Sequence, residues 1–174
     1  NNGRKFEKLF AQVHNRKYAV AVSSGSMALD IAIKSLELNK DDEIITTPRS
    51  YYASSISIVN NNHNIKFCDI ELNSHNLDPL SVEKNISKKT KALLIVHLAG
   101  VPCNMKKFIK LKNKYNLKII EDCSQAHGSK YDNQIVGSFG DIAIWSFCND
   151  KIISTLGEGG MITTNNKKFY EKIW

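Results

Sequence analysis

The chain is organised around the stretch Trp145-Ser146-Phe147-Cys148-Asn149-Asp150-Lys151-Ile152-Ile153-Ser154-Thr155-Leu156-Gly157-Glu158-Gly159-Gly160. An apolar run, residues 141–145, leads into it, and a second apolar run, residues 161–164, follows its glycine cluster. Lys151 therefore stands between a buried strand and a glycine turn, where loops of α/β proteins carry functional groups. Ser146, five positions earlier, suits an anchored phosphate beside an amine that forms a Schiff base. Taken alone, the stretch is better explained as a solvated surface loop with an ordinary lysine. A functional role for Lys151 therefore depends on evidence from the rest of the chain.

The composition is that of an ordinary globular protein. The chain has 174 residues, enough for one domain with a hydrophobic core, and 42% of them are hydrophobic and 24% charged. No apolar run approaches membrane-spanning length, and no signal-peptide pattern opens the sequence. We therefore expect no membrane partner.

The net charge of +7 comes from dispersed lysines, with the densest run at residues 106–118. Within this run Phe108, Leu111 and Tyr115 recur at helical spacing, which predicts an amphipathic helix whose wet face carries the lysines. No stacked aromatic residues or nucleic-acid-binding motif accompany them, so we expect no nucleic-acid partner.

The four cysteines, Cys68, Cys103, Cys123 and Cys148, show no metal-binding pattern. No two of them are spaced as CxxC, and none pairs with a nearby histidine as zinc ligands do. Each lies in or beside an apolar segment, which predicts buried free thiols and no metal site.

Strand and helix patterns alternate along the whole sequence. The predicted helices cover residues 4–14, 27–36, 53–59, 79–86 and 105–115, and the predicted strands cover residues 18–22, 44–47, 65–70, 91–96, 117–120, 141–145 and 161–164. In the first helix, Phe6, Leu9, Phe10 and Val13 share one face, which predicts its buried side. The strands are continuous apolar runs, typical of a mostly parallel sheet that helices cover on both faces. The sequence thus predicts an α/β fold of three layers, αβα.

Ligands of such sheets bind beyond the carboxyl ends of the strands. The residues that follow the predicted strands are Ser23 to Ser26, Tyr51, His97, Asp122 and Ser146, with Lys151 close behind. The first segment opens a helix, so it could bind an anion or simply cap the helix. Tyr51 could be a core residue or a platform for a flat ring. Asp122 could be functional, a helix cap or a solvated carboxylate.

Six motifs in one order resemble a known family. They are Ser24-Gly25-Ser26-Met27-Ala28-Leu29, Pro48-Arg49-Ser50-Tyr51, Val96-His97-Leu98-Ala99-Gly100, Glu121-Asp122-Cys123-Ser124-Gln125-Ala126-His127-Gly128, Gly137-Ser138-Phe139-Gly140-Asp141, and Ser146-Phe147 through Lys151 to Gly157-Glu158-Gly159-Gly160. This set resembles the fold-type I pyridoxal-phosphate enzymes, and more narrowly the DegT/DnrJ/EryC1/StrS family of nucleotide-sugar aminotransferases. The resemblance spans nearly the whole chain.

The resemblance implies a role for each matching residue. Lys151 would hold pyridoxal 5′-phosphate as a Schiff base and shuttle a proton, and Asp122 would pair with the pyridine nitrogen. Gln125 would contact the 3-oxygen of the ring. For His97 and His127 we favour satisfied structural histidines.

The phosphate and the ring face would be bound by four further positions. Gly25 and Ser26 would bind the phosphate through backbone and hydroxyl, and Ser146 would add a second hydroxyl. Tyr51 would stack on the ring, where many family members carry Phe or Trp.

The resemblance also implies an activity and partners. We expect an aminotransferase that moves an amino group from an amino acid, L-glutamate, to a nucleotide-linked keto sugar, for a surface polysaccharide such as O-antigen or for a secondary metabolite. We further expect a cytoplasmic homodimer. Because the family is about twice as long, residues 1–174 would be a truncated large domain without the C-terminal small domain.

Three alternatives remain on the sequence. Related sugar dehydratases carry His at the Schiff-base position, which Lys151 argues against. A non-catalytic regulator of the same fold is disfavoured because Asp122, Gln125, Ser146 and Lys151 occur together. A Rossmann nucleotide-binding module is disfavoured because the cluster at residues 157–160 does not fit GxGxxG.

Overall fold

The computed structural model describes residues 2–174. Its elements in chain order are α1 (Asn2–Val13), β1 (Tyr18–Val22), α2 (Gly25–Ser35), β2 (Glu43–Thr46), α3 (Ala53–Asn60), β3 (Asn64–Phe67), α4 (Pro79–Asn85), β4 (Thr90–Val96), α5 (Met105–Tyr115), β5 (Lys118–Asp122), β6 (Lys130–Tyr131), β7 (Gln134–Ile135), β8 (Ile142–Ser146), β9 (Gly160–Thr164) and α6 (Lys167–Ile173). A short 3-10 turn, Leu98–Gly100, follows β4.

A seven-stranded sheet forms the centre of the described chain, in the order β1-β9-β8-β5-β4-β2-β3. The four pairs that link β8, β5, β4, β2 and β3 are parallel. Only β9 runs antiparallel, between β1 and β8. The carboxyl ends of β1, β4, β5 and β8 therefore meet at one edge, as do the first residues of β9.

Helices cover both faces of this sheet, which confirms the predicted three-layer fold. Residues of α2, α3 and α6 pack on one face with Ile44, Leu94 and Ile144 in one apolar cluster. Residues of α4 and α5 pack on the other face with Leu93 and Ile119 in a second cluster. Burial of these apolar surfaces is the main contribution to the stability of the layers.

Local sequence explains where the helices begin and end. Helix α5 begins after Asn104, whose side chain accepts the Lys107 N–H, and ends at Asn116 in the left-handed conformation. Its apolar side buries Phe108 and Leu111. Four of its five lysines are exposed, as the spacing predicts, while Lys112 is half-buried and pairs with Asp141 at 2.8 Å. Among residues 2–174, no helix combines the length and apolar character that crossing a membrane requires.

Helix α1 departs from its predicted packing. Phe10 is buried, but Leu9 and Val13, predicted on the same face, are 50% and 66% exposed. The buried stripe is narrower than the apolar stripe, because α1 packs on β8 through Phe10 and the neighbouring Ala11, in a cluster with Trp145. Phe6 is also 38% exposed, so the predicted buried side of this helix is wrong for three of its four residues.

The small hairpin of β6 and β7 was not predicted from the sequence. Asp132 and Asn133 form its two-residue turn, and both have positive φ, 47° and 63°. Asp and Asn tolerate this conformation in hairpin turns. Each strand has only two residues, too few for an alternating pattern.

Candidate active site

A cavity of about 310 Å³ opens at the carboxyl edge of the sheet. Six predicted site residues line it: Gly25, Ser26, Tyr51, Gln125, Ser146 and Lys151. A wider depression of about 550 Å³ lies at the opposite end of α2, beside Lys34 and His63, away from these strand ends. We therefore place the candidate site in the smaller cavity.

The start of α2 and the end of β8 form one wall. Ser24 caps the helix, since its Oγ accepts the Met27 N–H at 3.1 Å. Within the described residues, the N–H groups of Gly25 and Ser26 have no protein partner, and they point out of the helix end. A Cβ on Gly25 would lie 2.7 Å from the Cβ of Ser146, so only glycine permits this approach. The start of α2 therefore has both features: Ser24 caps the helix, and the free N–H groups of Gly25 and Ser26 are available to an anion.

Asp122 ends β5 and lies deeper than the lining residues. It is 5% exposed, and its carboxylate accepts the N–H of Ser124 at 3.0 Å and the hydroxyl of Ser54 at 3.3 Å. Burial raises the pKa of Asp122, against the opposing effect of these donors. No ion pair to Asp122 occurs in the described part of the chain, so its carboxylate could still pair with a cation.

Lys151 lies in the loop between β8 and β9, with its side chain 21% exposed. Its Nζ contacts both carboxylate oxygens of Asp150, at 2.9 and 3.0 Å. This pair lowers the pKa of Asp150. Lys151 is thus partly buried, and its contact with the neighbouring Asp150 was not predicted from the sequence.

Tyr51 stands at the mouth of the cavity, just before α3. Its side chain is 61% exposed and its ring lies 4.5 Å from that of Tyr52, centroid to centroid. Tyr51 is therefore not a core residue, and stacking on a flat ring remains the predicted role of its side chain.

Glu121, next to Asp122 on β5, is the centre of a buried hydrogen-bond network. Its carboxylate accepts the N–H groups of Gly137 and Phe139, each at 2.8 Å, and that of Gly140 at 2.5 Å. Arg16 lies 3.7 Å from the same carboxylate and donates to the carbonyls of Gly137 and Gly140. The network thus connects residues 137–140, which precede β8, to Glu121, which precedes Asp122.

His97 belongs to the same network and is fully buried. Its Nδ1 accepts the Cys103 N–H at 3.1 Å, so the proton is on Nε2, which donates to Glu121 at 3.1 Å. Burial favours protonated Glu121, but the His97 hydrogen bond, the Gly140 N–H and the Arg16 charge together outweigh it and lower the pKa of Glu121. The expectation of a satisfied structural histidine is met at this position.

His127 differs from that expectation. Both ring nitrogens are buried without a hydrogen-bond partner among residues 2–174, and the ring packs against Trp145 and Phe147. Burial, and then the charges of His14 and Lys151, lower the pKa of His127 to about 4. Its ring is therefore neutral at neutral pH.

Cys148 departs from the predicted pattern of buried thiols. Cys68, Cys103 and Cys123 are buried, but Cys148 is half-buried and lines the cavity. Its thiol donates to the Glu158 carboxylate at 2.9 Å, and this contact raises the pKa of Cys148.

Three residues around the site escaped the sequence analysis: Ser54, Asn76 and Glu121. Each contacts a segment far away in sequence, and their residue types are common in loops and helices. The only sequence signal was for Glu121, which precedes Asp122 inside one of the family motifs.

The similarity of this chain to known proteins covers nearly its whole length. The family model described as "DegT/DnrJ/EryC1/StrS aminotransferase family" matches residues 1–174. The curated dTDP-3-amino-3,6-dideoxy-alpha-D-galactopyranose transaminase of Aneurinibacillus thermoaerophilus is 40% identical over 168 residues, which are 97% of this chain and 46% of the relative.

Two solved structures share the fold. An aminotransferase from Psychrobacter cryohalolentis superposes with a TM-score of 0.97 at 45% identity, over 99% of this chain and 44% of the other. NtdA from Bacillus subtilis, with bound cofactor PMP, superposes with a TM-score of 0.94 at 31% identity, over 99% of this chain and 39% of the other. The chain thus spans less than half the length of these proteins. With matching motifs, fold and family model, it belongs to the DegT/DnrJ/EryC1/StrS aminotransferase family.

Proposed function

We propose that residues 1–174 form the cofactor-binding large domain of an aminotransferase that uses pyridoxal 5′-phosphate to aminate a nucleotide-linked keto sugar. The observation that carries this proposal is the convergence of Gly25, Ser146 and Lys151 on one cavity, with buried Asp122 next to it. Family membership and the transaminase relative, whose name contains a dTDP-linked amino sugar, support it.

The wall formed by α2 and β8 fits a phosphate group. Unpartnered N–H groups at a helix start and the partial positive charge of the helix both favour an anion. The hydroxyls of Ser26 and Ser146 stand beside them on the same cavity. The closeness of Gly25 to Ser146 lets one anion contact both segments.

The deeper part of the site fits a protonated pyridine nitrogen. Asp122 is buried and accepts only neutral donors, Ser124 and Ser54, so it lacks a cation. A buried carboxylate is stabilised in its charged form by a positive group within contact distance. Asp122 would thereby hold a proton on the pyridine nitrogen, and Tyr51 would cover the ring from the cavity mouth.

Bound pyridoxal phosphate supplies an electron sink for the carbon that loses or gains a proton. Lys151 would hold the cofactor as a Schiff base through Nζ, which must first lose its proton and leave Asp150, while the aldehyde oxygen would leave as water. When the amino donor replaces Lys151 on the cofactor, the Lys151 amine would be available to take up and return a proton at the reacting carbon. Because a Lys occupies this place in the cavity, we favour transamination over the dehydratase and regulator alternatives.

The remaining parts of the proposal rest on family resemblance. The amino donor would be L-glutamate, the setting cytoplasmic synthesis of amino sugars for a surface polysaccharide, and the full-length protein a homodimer. The open, 61% exposed position of Tyr51 is compatible with a partner surface at the cavity mouth.

The decisive experiment uses purified full-length protein incubated with pyridoxal phosphate. We expect a visible absorbance band that shifts when glutamate is added, and borohydride reduction followed by mass spectrometry should place the pyridoxyl group on Lys151. Lys151→Ala should lack the covalent label and the activity, while the control Lys130→Ala, changed on the exposed hairpin, should keep both. A protein that stays colourless, or a label on another lysine, would contradict the proposal.

A further inference from the structure

The orientation of the Gln125 side chain is determined by a backbone N–H. Its Oε1 accepts the Ala99 N–H at 2.7 Å, and a backbone N–H can only donate. The oxygen end of this carboxamide must therefore face Ala99, although the two ends of a carboxamide are often hard to distinguish. Its NH2 group has no partner among the described residues, and Gln125 lines the cavity.

Ala99 donates from an unusual backbone conformation. Its φ and ψ are 51° and 27°, in the left-handed region, and the following Gly100 has a φ of 82°. A residue with a Cβ rarely adopts this conformation unless its surroundings hold it there. The 3-10 turn and Val101 after it, residues 98–101, are thus a strained segment beside the cavity.

Asn76 holds this turn at both ends. Its Oδ1 accepts the Leu98 N–H at 3.0 Å, and its Nδ2 donates to the Val101 carbonyl at 2.9 Å. Asn76 is 1% exposed, so solvent does not compete for these bonds. A third bond, from the Ser129 hydroxyl to the Gly100 carbonyl at 2.7 Å, fixes the middle of the turn.

We propose that Asn76 and the turn at residues 98–101 form a positioning device that fixes Gln125 with its NH2 group toward the cavity. The site then presents a hydrogen-bond donor at this point and selects a ligand with an acceptor there. This identification rests on the proposed function: the acceptor is the deprotonated ring oxygen of pyridoxal phosphate. Asn76 acts only through the turn and does not touch the ligand.

The first test needs no cofactor. In the full-length protein, hydrogen exchange of the Ala99 amide should become about tenfold faster in Gln125→Ala, which removes the acceptor of this N–H. The same increase is expected in Asn76→Ala, which removes the two bonds that hold the turn carrying Ala99. The matched control is Asn85→Ala, which removes a similar bond, Nδ2 to the Ser81 carbonyl at 2.9 Å, far from the turn. Unchanged exchange at Ala99 in both variants would overturn the proposed orientation.

The second test uses the pH titration of the visible absorbance of added pyridoxal phosphate. A donor to the ring oxygen stabilises its deprotonated form, so misplacing the donor in Asn76→Ala should raise the midpoint by about half to one pH unit. Gln125→Leu should raise it at least as much, and Asn85→Ala should leave it unchanged. A raised midpoint in Gln125→Leu with a wild-type midpoint in Asn76→Ala would refute the positioning role.

The two tests separate this inference from the proposed function. If wild-type protein binds no pyridoxal phosphate, the proposed function fails, while the exchange rate of Ala99 still decides whether the turn orients Gln125. If pyridoxal phosphate binds and exchange at Ala99 does not respond, the proposed function survives and the positioning device does not.

Discussion

The close approach of Gly25 to Ser146 in the proposed phosphate site makes Gly25→Ala an informative substitution. The new Cβ would lie 2.7 Å from the Cβ of Ser146, 3.0 Å from its Oγ and 3.3 Å from its Cα. Rotation of the serine hydroxyl relieves only the second contact, because the first and third involve atoms fixed to the backbone of β8. Helix α2 and strand β8 must therefore move apart.

The expected cost follows from this overlap. Overpacking of a well-packed site by one methyl group costs about 1–3 kcal/mol. Hydrogen exchange of the β8 amides, which reports opening of this part of the protein, should thus become roughly fivefold to a hundredfold faster. Separation of α2 from β8 should also weaken pyridoxal phosphate binding by about tenfold, the contribution of one hydrogen bond.

Two further variants make the argument refutable. Gly157→Ala is the matched control, because no heavy atom lies within 4 Å of its added Cβ, and stability should stay within about 0.5 kcal/mol of wild type. Adding Ser146→Gly to Gly25→Ala removes the two nearest contacts and should recover about 1 kcal/mol. A Gly25→Ala protein as stable as Gly157→Ala, or no recovery in the double variant, would refute the close-packed wall.

Three other predictions concern Asp122, the two serines of the cavity wall and the buried ring of His127. Asp122→Asn should still bind pyridoxal phosphate but lose most turnover, and a steady-state kcat equal to wild type would remove Asp122 from the mechanism. Ser26→Ala combined with Ser146→Ala should weaken pyridoxal phosphate binding far more than either change alone, by about 1.5–3 kcal/mol for each lost hydrogen bond to the charged phosphate. Unchanged affinity in a fluorescence titration would show that both serines are ordinary cap and loop residues. The pKa of His127 is lowered to about 4, so the unfolded chain binds more protons and stability falls between pH 6.5 and 4; His127→Gln should flatten this fall in urea unfolding, and an unaltered pH profile would contradict the assignment.

The sequence predicts the elements of this fold because their patterns are local. Helix α5 is found with its predicted bounds, since apolar spacing defines its buried side and Asn104 its start. The alternation of strands and helices likewise predicts the parallel sheet and the edge where the site lies. Family motifs add the candidate residues, and the structure brings six of them to one cavity.

What the sequence does not predict depends on contacts between distant segments. The contact of Asn76 with the turn at residues 98–101 and that of Ser54 with Asp122 join parts of the chain 22 and 68 residues apart. Neither leaves a periodic pattern. The exposure of the apolar side of α1 was not predicted for the same reason, because how much of a helix is buried depends on the distant segments that it packs against.

The two adjacent carboxylates of β5 lie in different electrostatic environments. Side chains alternate along a strand, so Glu121 and Asp122 enter different surroundings. Glu121 receives three backbone N–H groups, His97 and the only cation nearby in the described chain, Arg16, and its pKa is lowered. Asp122 receives two neutral donors, and burial raises its pKa.

This contrast in environment assigns different tasks to the two groups. The charge of Glu121 is already compensated by the protein, so this residue stabilises the fold. The protein does not compensate the charge of Asp122, because no cation contacts it in the described chain. A buried carboxylate without a cation favours its protonated form. A ligand that carries a positive group to Asp122 would restore the carboxylate and gain the interaction that the protein itself does not supply. We therefore predict that Asp122 binds a positively charged group of the ligand.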